Sequence, residues 1–395
     1  MPGPVNALSA TPSAQPPSPA QPGPGLRRRQ WLAQAGLWAA ALPAAWPGAA
    51  QALPARALQF PRDHGSHPGL RTEWWYITGQ AWSAGGRRWG FQVTFFRSRV
   101  DGTQSLQSAF AARQLLFAHA ALTDLQGGRL LHDERIARAG FGIAEAAEHD
   151  TDIRLQDWTL RRTDLALPGG ARGSRYTAHL EGSQLGLQLT CDSTQPLLLQ
   201  GQQGLSRKGP DAVQASYYYS QPQLAVRGSL AVQGQRFDID PAAGPCRAWM
   251  DHEWSEALLH PEAVGWDWIG MNLQDGSALT AFRLRRADGS ALWAGGSWRS
   301  AAGALRIFAA PEVRFEPLRH WTSPHSGARY PVAWRVHTPA GRWEVRSLLD
   351  AQELDSTAST GAIYWEGLST LHDEGGSAVG QGYLEMTGYA RALRL

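Results

Sequence analysis

Alternation of apolar and polar positions dominates the chain beyond Leu53. Phe91, Val93 and Phe95 fall on one face of a period-two pattern, with Gln92 and Thr94 opposite. Val264, Trp266 and Trp268 repeat the pattern in the second half, and Trp343, Val345 and Ser347 do so more weakly. A period of two marks strands with one face turned to a core. Turn residues separate these runs at hairpin-like intervals: Ser83-Ala84-Gly85-Gly86, Gln126-Gly127-Gly128, Gln274-Asp275-Gly276 and Ala287-Asp288-Gly289. Phe110 to Leu116 and Pro261 to Val264 are at best short turns of helix. The pattern predicts an all-β, antiparallel protein.

A faint internal repeat refines this. Trp75-Tyr76-Ile77-Thr78-Gly79 opens a hairpin that ends in Phe95-Phe96-Arg97, and Trp266-Asp267-Trp268-Ile269-Gly270 opens one that ends in Phe282-Arg283. Two similar β units in tandem account for the length and the repeat. The break is expected between the Gly/Gln-rich Leu199 to Gly209 and Tyr217-Tyr218-Tyr219. That divides the chain into 53–212 and 213–395, each of a size to form one β-barrel.

Composition narrows the function classes. Of 395 residues 43% are hydrophobic and 18% charged, against a usual charged share of about 25%. Such a chain buries a core and is neither disordered nor a coiled coil. The net charge is +3, and no stripe beyond the N-terminus concentrates it, so nucleic acid is not an expected partner. Residues 1–52 read as a leader. Met1 to Gly25 has no periodicity; then come Arg27-Arg28-Arg29, the apolar run Gly36 to Leu42, and Ala50-Gln51-Ala52. These are the n-region, h-region and cleavage site of an export signal of twin-arginine type. The expected location is the periplasm, with peripheral membrane contact allowed. Cys191 and Cys246 could pair in that oxidising compartment; two separate buried thiols are the plainer reading.

The motif search excludes more than it finds. No G-x-S-x-G elbow, P-loop, C-x-x-C or H-E-x-x-H occurs. His64-Gly65-Ser66-His67 beside Asp63 comes nearest to metal-ligand spacing. It reads as a loop satisfying its own backbone, so neither a metal nor an organic cofactor is expected. Arg71 with Glu73 reads as a barrel-closing ion pair, and His119 as a satisfied core histidine. The densest chemistry is Trp249-Met250-Asp251-His252-Glu253-Trp254. On a strand Trp249, Asp251 and Glu253 share one face, with Met250, His252 and Trp254 on the other. Two carboxyls about 6.5–7 Å apart in apolar surroundings repel, so one holds its proton near neutrality, as a general acid must. A solvent-facing acidic face, or a pairing of Asp251 with Arg247, fits the alternation equally well. Tyr217 and Tyr219 share a face, with Tyr218 opposite, and aromatic rings of this kind stabilise a cation or simply fill a core.

Several stretches together resemble the AttH-like, carotenoid 1,2-hydratase-like family. They are Phe60 to Pro68 with Thr72 to Tyr76, Ala118 to Asp124, Tyr217 to Ser220, Trp249 to Ser255, Tyr364 to Gly367 and Gly382 to Tyr389. The resemblance implies two tandem lipocalin-like (calycin-type) barrels. Members like this chain are described as predicted secreted hydrolases, and some are encoded beside ABC-transporter components, which are therefore expected partners. The hydratase branch implies an aspartic acid that protonates an isoprenoid double bond without a cofactor, with aromatic groups sheltering the cation. The hydratases' Tyr-x-Asp pair falls on Trp249 and Asp251, and their His-x-Trp on Tyr217 and Tyr219, so the acid is retained and its surroundings differ. Two functions follow from this. One is an exported enzyme hydrating or hydrolysing an apolar or lipid substrate within a barrel, with Asp251, Glu253 and Trp249 catalytic and Tyr217, Tyr219, Trp266, Trp268, His252 and Trp254 binding. The other is a periplasmic lipid carrier serving an ABC exporter.

Overall fold

The computed structural model describes residues 52–393. The leader, with its export signal, lies outside the described residues apart from its final Ala52. Among the described residues the regular structure is β-strand throughout, with four short 3-10 turns and no α-helix. The expected all-β, antiparallel architecture is present.

The strands form two sheets. The first has fourteen strands. Its central part runs from Arg129–Arg138 through Gln114–Asp124, Arg87–Arg99 and Thr72–Ser83 to Arg247–Ala257 and Ala215–Val232, then through Leu185–Asp192 and Arg172–Glu181. The second has ten and contains Gly265–Leu273, Ala278–Arg285, Ala362–His372 and Ala378–Met386. Both predicted hairpins form, with Trp75 opposite Phe95 in one and Trp268 opposite Phe282 in the other.

The expected break at 212/213 falls just before the strand Ala215–Val232, which belongs to the first sheet. The change of sheet comes later, between Ala257 and Gly265. Arg247–Ala257 explains the difference, because it is sandwiched between Thr72–Ser83 and Ala215–Val232 and ties residues 215–257 to the first half. Strand pairing across about 180 residues is invisible to local composition.

Each sheet curls around its own core. Trp75, Trp89, Phe91, Trp158 and Tyr176 fill the first and Trp334, Trp365 and Tyr330 the second, all with side chains almost wholly buried. Burying rings of this size contributes roughly 2–3 kcal/mol apiece. A third cluster, with Tyr76, Trp249, Trp268, Phe282, Leu368 and Tyr383, lies where the sheets meet. Cys191 and Cys246 are separate buried thiols.

Candidate active site

The seam between the sheets encloses a cavity of about 270 Å³. Alternation decides which side chains reach it. Trp74 and Tyr76 on Thr72–Ser83 stand opposite Glu253 and Asp251 of Arg247–Ala257. On the other flank, Tyr218 and Ser220 stand opposite the same two acids. Cross-strand partners share a face, so one face of three adjacent strands presents Asp251, Glu253, Tyr76 and Tyr218 to the cavity. The second sheet supplies the facing wall with Trp266, Trp268, Phe282, Glu366 and Glu385. The lining is thus aromatic, with the buried acids Asp251, Glu253, Glu366 and Glu73 and the half-buried Glu385. Gly270 leaves room for the Trp268 ring, since a Cβ there would lie 2.3 Å from it, and that ring packs edge-on against Trp249.

Asp251 is 3% exposed. Burial is the main force on it, and the neighbouring Glu253 charge adds to it. Hydrogen bonds donated by Ser220 (2.5 Å), Tyr218 (2.8 Å) and the Trp249 indole (2.7 Å) stabilise its anion and oppose the rise. Desolvation wins, and the pKa goes up from 3.8 to about 7. Glu253 is held differently. Lys208, the one lysine of the chain, pairs with it at 2.9 Å and Ser216 donates to it at 2.5 Å. The Lys208 ammonium also sits 4.6 Å above the Tyr218 ring and 4.3 Å above the Phe282 ring. The two acids expected to share a face do so, and their surroundings separate them into a proton-holding acid and an ion-paired carboxylate.

Of the residues expected at the site, Asp251, Glu253, Trp266 and Trp268 line the cavity, and Trp249 stands behind Asp251 as a donor. The other four turn away. Tyr217, Tyr219 and Trp254 belong to the core of the first sheet, and His252 is wholly buried beside them. The Tyr217 hydroxyl donates to Pro54 O, and Trp254 stacks on His67 with ring centres 4.0 Å apart. The sequence separates odd from even positions correctly but does not say which set faces Asp251. The register does: Tyr217 pairs with Trp254 and Tyr219 with His252, leaving Tyr218 for the cavity. Reasoning from sequence also missed Lys208, Tyr76, Glu366 and Glu385. A single lysine was a usable signal; for the two glutamates only their place in the quoted family stretches marked them.

His64, His67 and Asp63 do more than finish a turn. Glu73 accepts hydrogen bonds from His67 Nδ1 (2.7 Å), His252 Nε2 (2.9 Å) and Arg97 Nε (2.8 Å), while Asp63 binds His67 Nε2 at 3.0 Å and Arg56 at 2.7 Å. Burial pushes the Glu73 carboxyl up, but the two histidines outweigh it and hold the group below the usual range. His252, desolvated, drops to about 4. His67, Glu73 and His252 offer atoms close enough to hold a metal ion, yet each of those atoms already serves a hydrogen bond within the triad. The partner of Glu73 is therefore Arg97, across the hairpin, rather than Arg71. His119 lines the cavity, with Nδ1 2.8 Å from the Tyr364 hydroxyl and Nε2 2.9 Å from Ser359 Oγ.

The arrangement defines a class: a lipocalin-like, all-β protein with a proton-holding acid on the wall of an aromatic cavity. A family model described as AttH-like matches residues 51–389. The chain belongs to the AttH-like family. Among solved structures it is similar to a candidate AttH from Nitrosomonas europaea, at 45% identity over 86% of this chain and 99% of that one, with a TM-score of 0.77. It also resembles kievitone hydratase from Nectria haematococca, at 14% identity over 85% of this chain and 94% of that one, with a TM-score of 0.65. CghA follows at 13% identity, over 82% and 89% of the respective chains, with a TM-score of 0.51. The last two likenesses concern the fold. No curated protein matches the chain.

Proposed function

We propose that the protein hydrates a carbon–carbon double bond of an apolar or lipid-like substrate held at the seam, with Asp251 as the general acid. The observation that carries this reading is a carboxyl with its pKa near neutrality, buried in an aromatic cavity. Such a group is still protonated in roughly half the molecules at neutral pH and can release its proton to a weakly basic carbon. In the proposed step the Asp251 O–H bond breaks and the alkene π pair takes the proton, forming C–H. The tertiary cation left behind faces the rings of Tyr218, Trp266 and Trp268, whose quadrupoles offer roughly 2 kcal/mol each when desolvated. The donors Ser220, Tyr218 and Trp249 hold the new Asp251 carboxylate. Water then forms the C–O bond and its proton returns to Asp251, so the acid is regenerated without a cofactor. Glu253, fixed by Lys208 and Ser216, orients that water.

Kievitone hydratase, whose name denotes a hydration, shares the fold, and this supports the reaction class. The substrate differs from the sequence expectation in its location, between the sheets rather than inside a barrel. Export by the twin-arginine route, a periplasmic location, peripheral membrane contact and service to an ABC exporter belong to the same proposal and rest on the leader and the family resemblance. The test is mass spectrometry of organic extracts from the purified protein and from Asp251→Asn. A lipid in the variant and the same lipid one water heavier in the wild type are expected. Identical, unmodified lipid from both refutes hydration and makes the protein a carrier.

A further inference from the structure

The wall opposite Asp251 contains groups that hydration does not use. Glu366 on Ala362–His372 and Glu385 on Ala378–Met386 are direct cross-strand partners, so both side chains leave the sheet on the cavity face. Cross-strand partners have Cβ atoms about 4.5–5.5 Å apart, so the two carboxyls stand side by side. Glu366 is 3% exposed and its Oε1 has no hydrogen-bond partner. The Tyr76 hydroxyl, on the first sheet, is also buried without a partner, and Tyr76 lines the same cavity. The two groups face one another across the seam, close enough to shift each other's proton affinity, yet neither makes a well-formed hydrogen bond, which costs about 1–3 kcal/mol each unless something fills the gap.

We propose that Glu366, Glu385 and the Tyr76 hydroxyl form a hydrogen-bond-donating subsite for a neutral oxygen acceptor, a carbonyl or hydroxyl, carried by an otherwise apolar ligand. The donor count supports this. Burial first, and mutual repulsion second, keep Glu366 well above the usual carboxylate range; burial with the Asp251 and Glu253 charges lifts Glu385 to about 8. Both are then neutral acids at pH 7. Three O–H donors thus stand round the gap, Trp266 adds a further donor to Glu385, and the Tyr76 and Glu366 groups that lack a well-formed bond can donate to a ligand oxygen. An ammonium group fits less well, because holding it would require ionising a carboxyl in this desolvated wall. Tyr76 is the cross-strand partner of Asp251, so the subsite sets an oxygen function beside the acid. A plain hydrocarbon would leave the Glu366 and Tyr76 groups unmet.

This inference shares with the hydratase reading only the seam cavity as the ligand site. Trp74, Trp266 and Trp268 line it, so tryptophan fluorescence reports occupancy. Titration with octane, 2-octanone and octylamine is expected to rank 2-octanone at least tenfold tighter than octane, the worth of roughly one good hydrogen bond. Glu366→Met and Tyr76→Phe should each erase most of that preference, and Leu318→Ala, at an exposed position away from the cavity, should keep it. Equal affinity for octane and 2-octanone in the wild type overturns the subsite and leaves the hydratase reading standing. Tightest binding of octylamine overturns it too, in favour of an ionised pair. Identical, unmodified lipid from wild type and Asp251→Asn alongside a wild-type ketone preference would separate the two claims in the other direction. The wild-type series decides the matter even if a variant does not fold.

Discussion

Asp251→Asn should stabilise the folded protein above neutral pH, although it removes the proposed acid. The folded Asp251 has its pKa raised from 3.8 to about 7. A group with a raised folded pKa binds protons in the folded state that the unfolded chain has already lost. The stability it confers is therefore complete below the unfolded value and falls as pH rises toward 7. At 1.36 kcal/mol for each tenfold in proton affinity, the loss between pH 4 and pH 7 sums to about 4 kcal/mol. Asparagine is isosteric, accepts from Ser220 and Trp249 through its oxygen, and carries no charge to desolvate. Urea unfolding followed by tryptophan fluorescence, from pH 4 to pH 9, measures both chains. The two curves should nearly coincide at pH 4 and separate steadily, with the variant the more stable by several kcal/mol at pH 8. Parallel curves would mean that Asp251 ionises as an ordinary carboxyl in the fold, and the general-acid reading would go with it.

Other outcomes follow from the same contacts. Tyr218→Phe removes a donor that stabilises the Asp251 anion, so the Asp251 titration followed by carboxyl-labelled NMR should move up by about one pH unit; a downward move contradicts the assigned hydrogen bond. Glu73→Gln leaves the 2%-exposed Arg97 without its counter-charge and should cost roughly 3–5 kcal/mol in urea unfolding; a cost below about 1 kcal/mol would show that water reaches the network. Ellman's reagent should find no reactive thiol in the native protein, since burial drives Cys191 up to about 12 and raises Cys246. It should find both thiols in urea without reductant, whereas finding none would reveal a disulfide.

Fold class was legible because a period of two needs no partner to be seen. The runs at Phe91, Val93, Phe95 and at Trp266, Trp268 became strands where alternation put them. The face shared by Trp249, Asp251 and Glu253 was legible for the same reason. Register was not, and it settled three questions. It put Tyr218 rather than Tyr217 and Tyr219 beside the acid. It gave Glu73 to Arg97, and it joined Ala215–Val232 to the first sheet. The sequence repeat illustrates the limit. Trp75 and Trp266 align by their spacing to Gly79 and Gly270, but Trp75 fills a core while Trp266 lines the cavity. A one-residue shift in a strand reverses every side chain. The true correspondence is carried by the buried acid–arginine pairs, Glu73 with Arg97 and Asp267 with Arg283, each directly opposed across its hairpin.

Those pairs also explain why the chemistry lies at the seam. Each sheet closes its interior with large aromatics and a well-matched ion pair across its leading hairpin. Glu73 is saturated by two histidines and Arg97, and Asp267 by Arg283 and the Tyr389 hydroxyl. Neither of these two acids is left unpaired. At the seam the balance is reversed. Asp251 is desolvated faster than its donors can compensate, Glu366 and Tyr76 keep unmatched atoms, and the walls come from two separately stabilised cores. Destabilising groups can collect there because neither core depends on them, which is the condition for a site whose acid must stay protonated at neutral pH. Filling the seam, for example with Ala362→Leu on the cavity wall, should therefore change ligand binding and the Asp251 titration more than it changes the unfolding of either sheet.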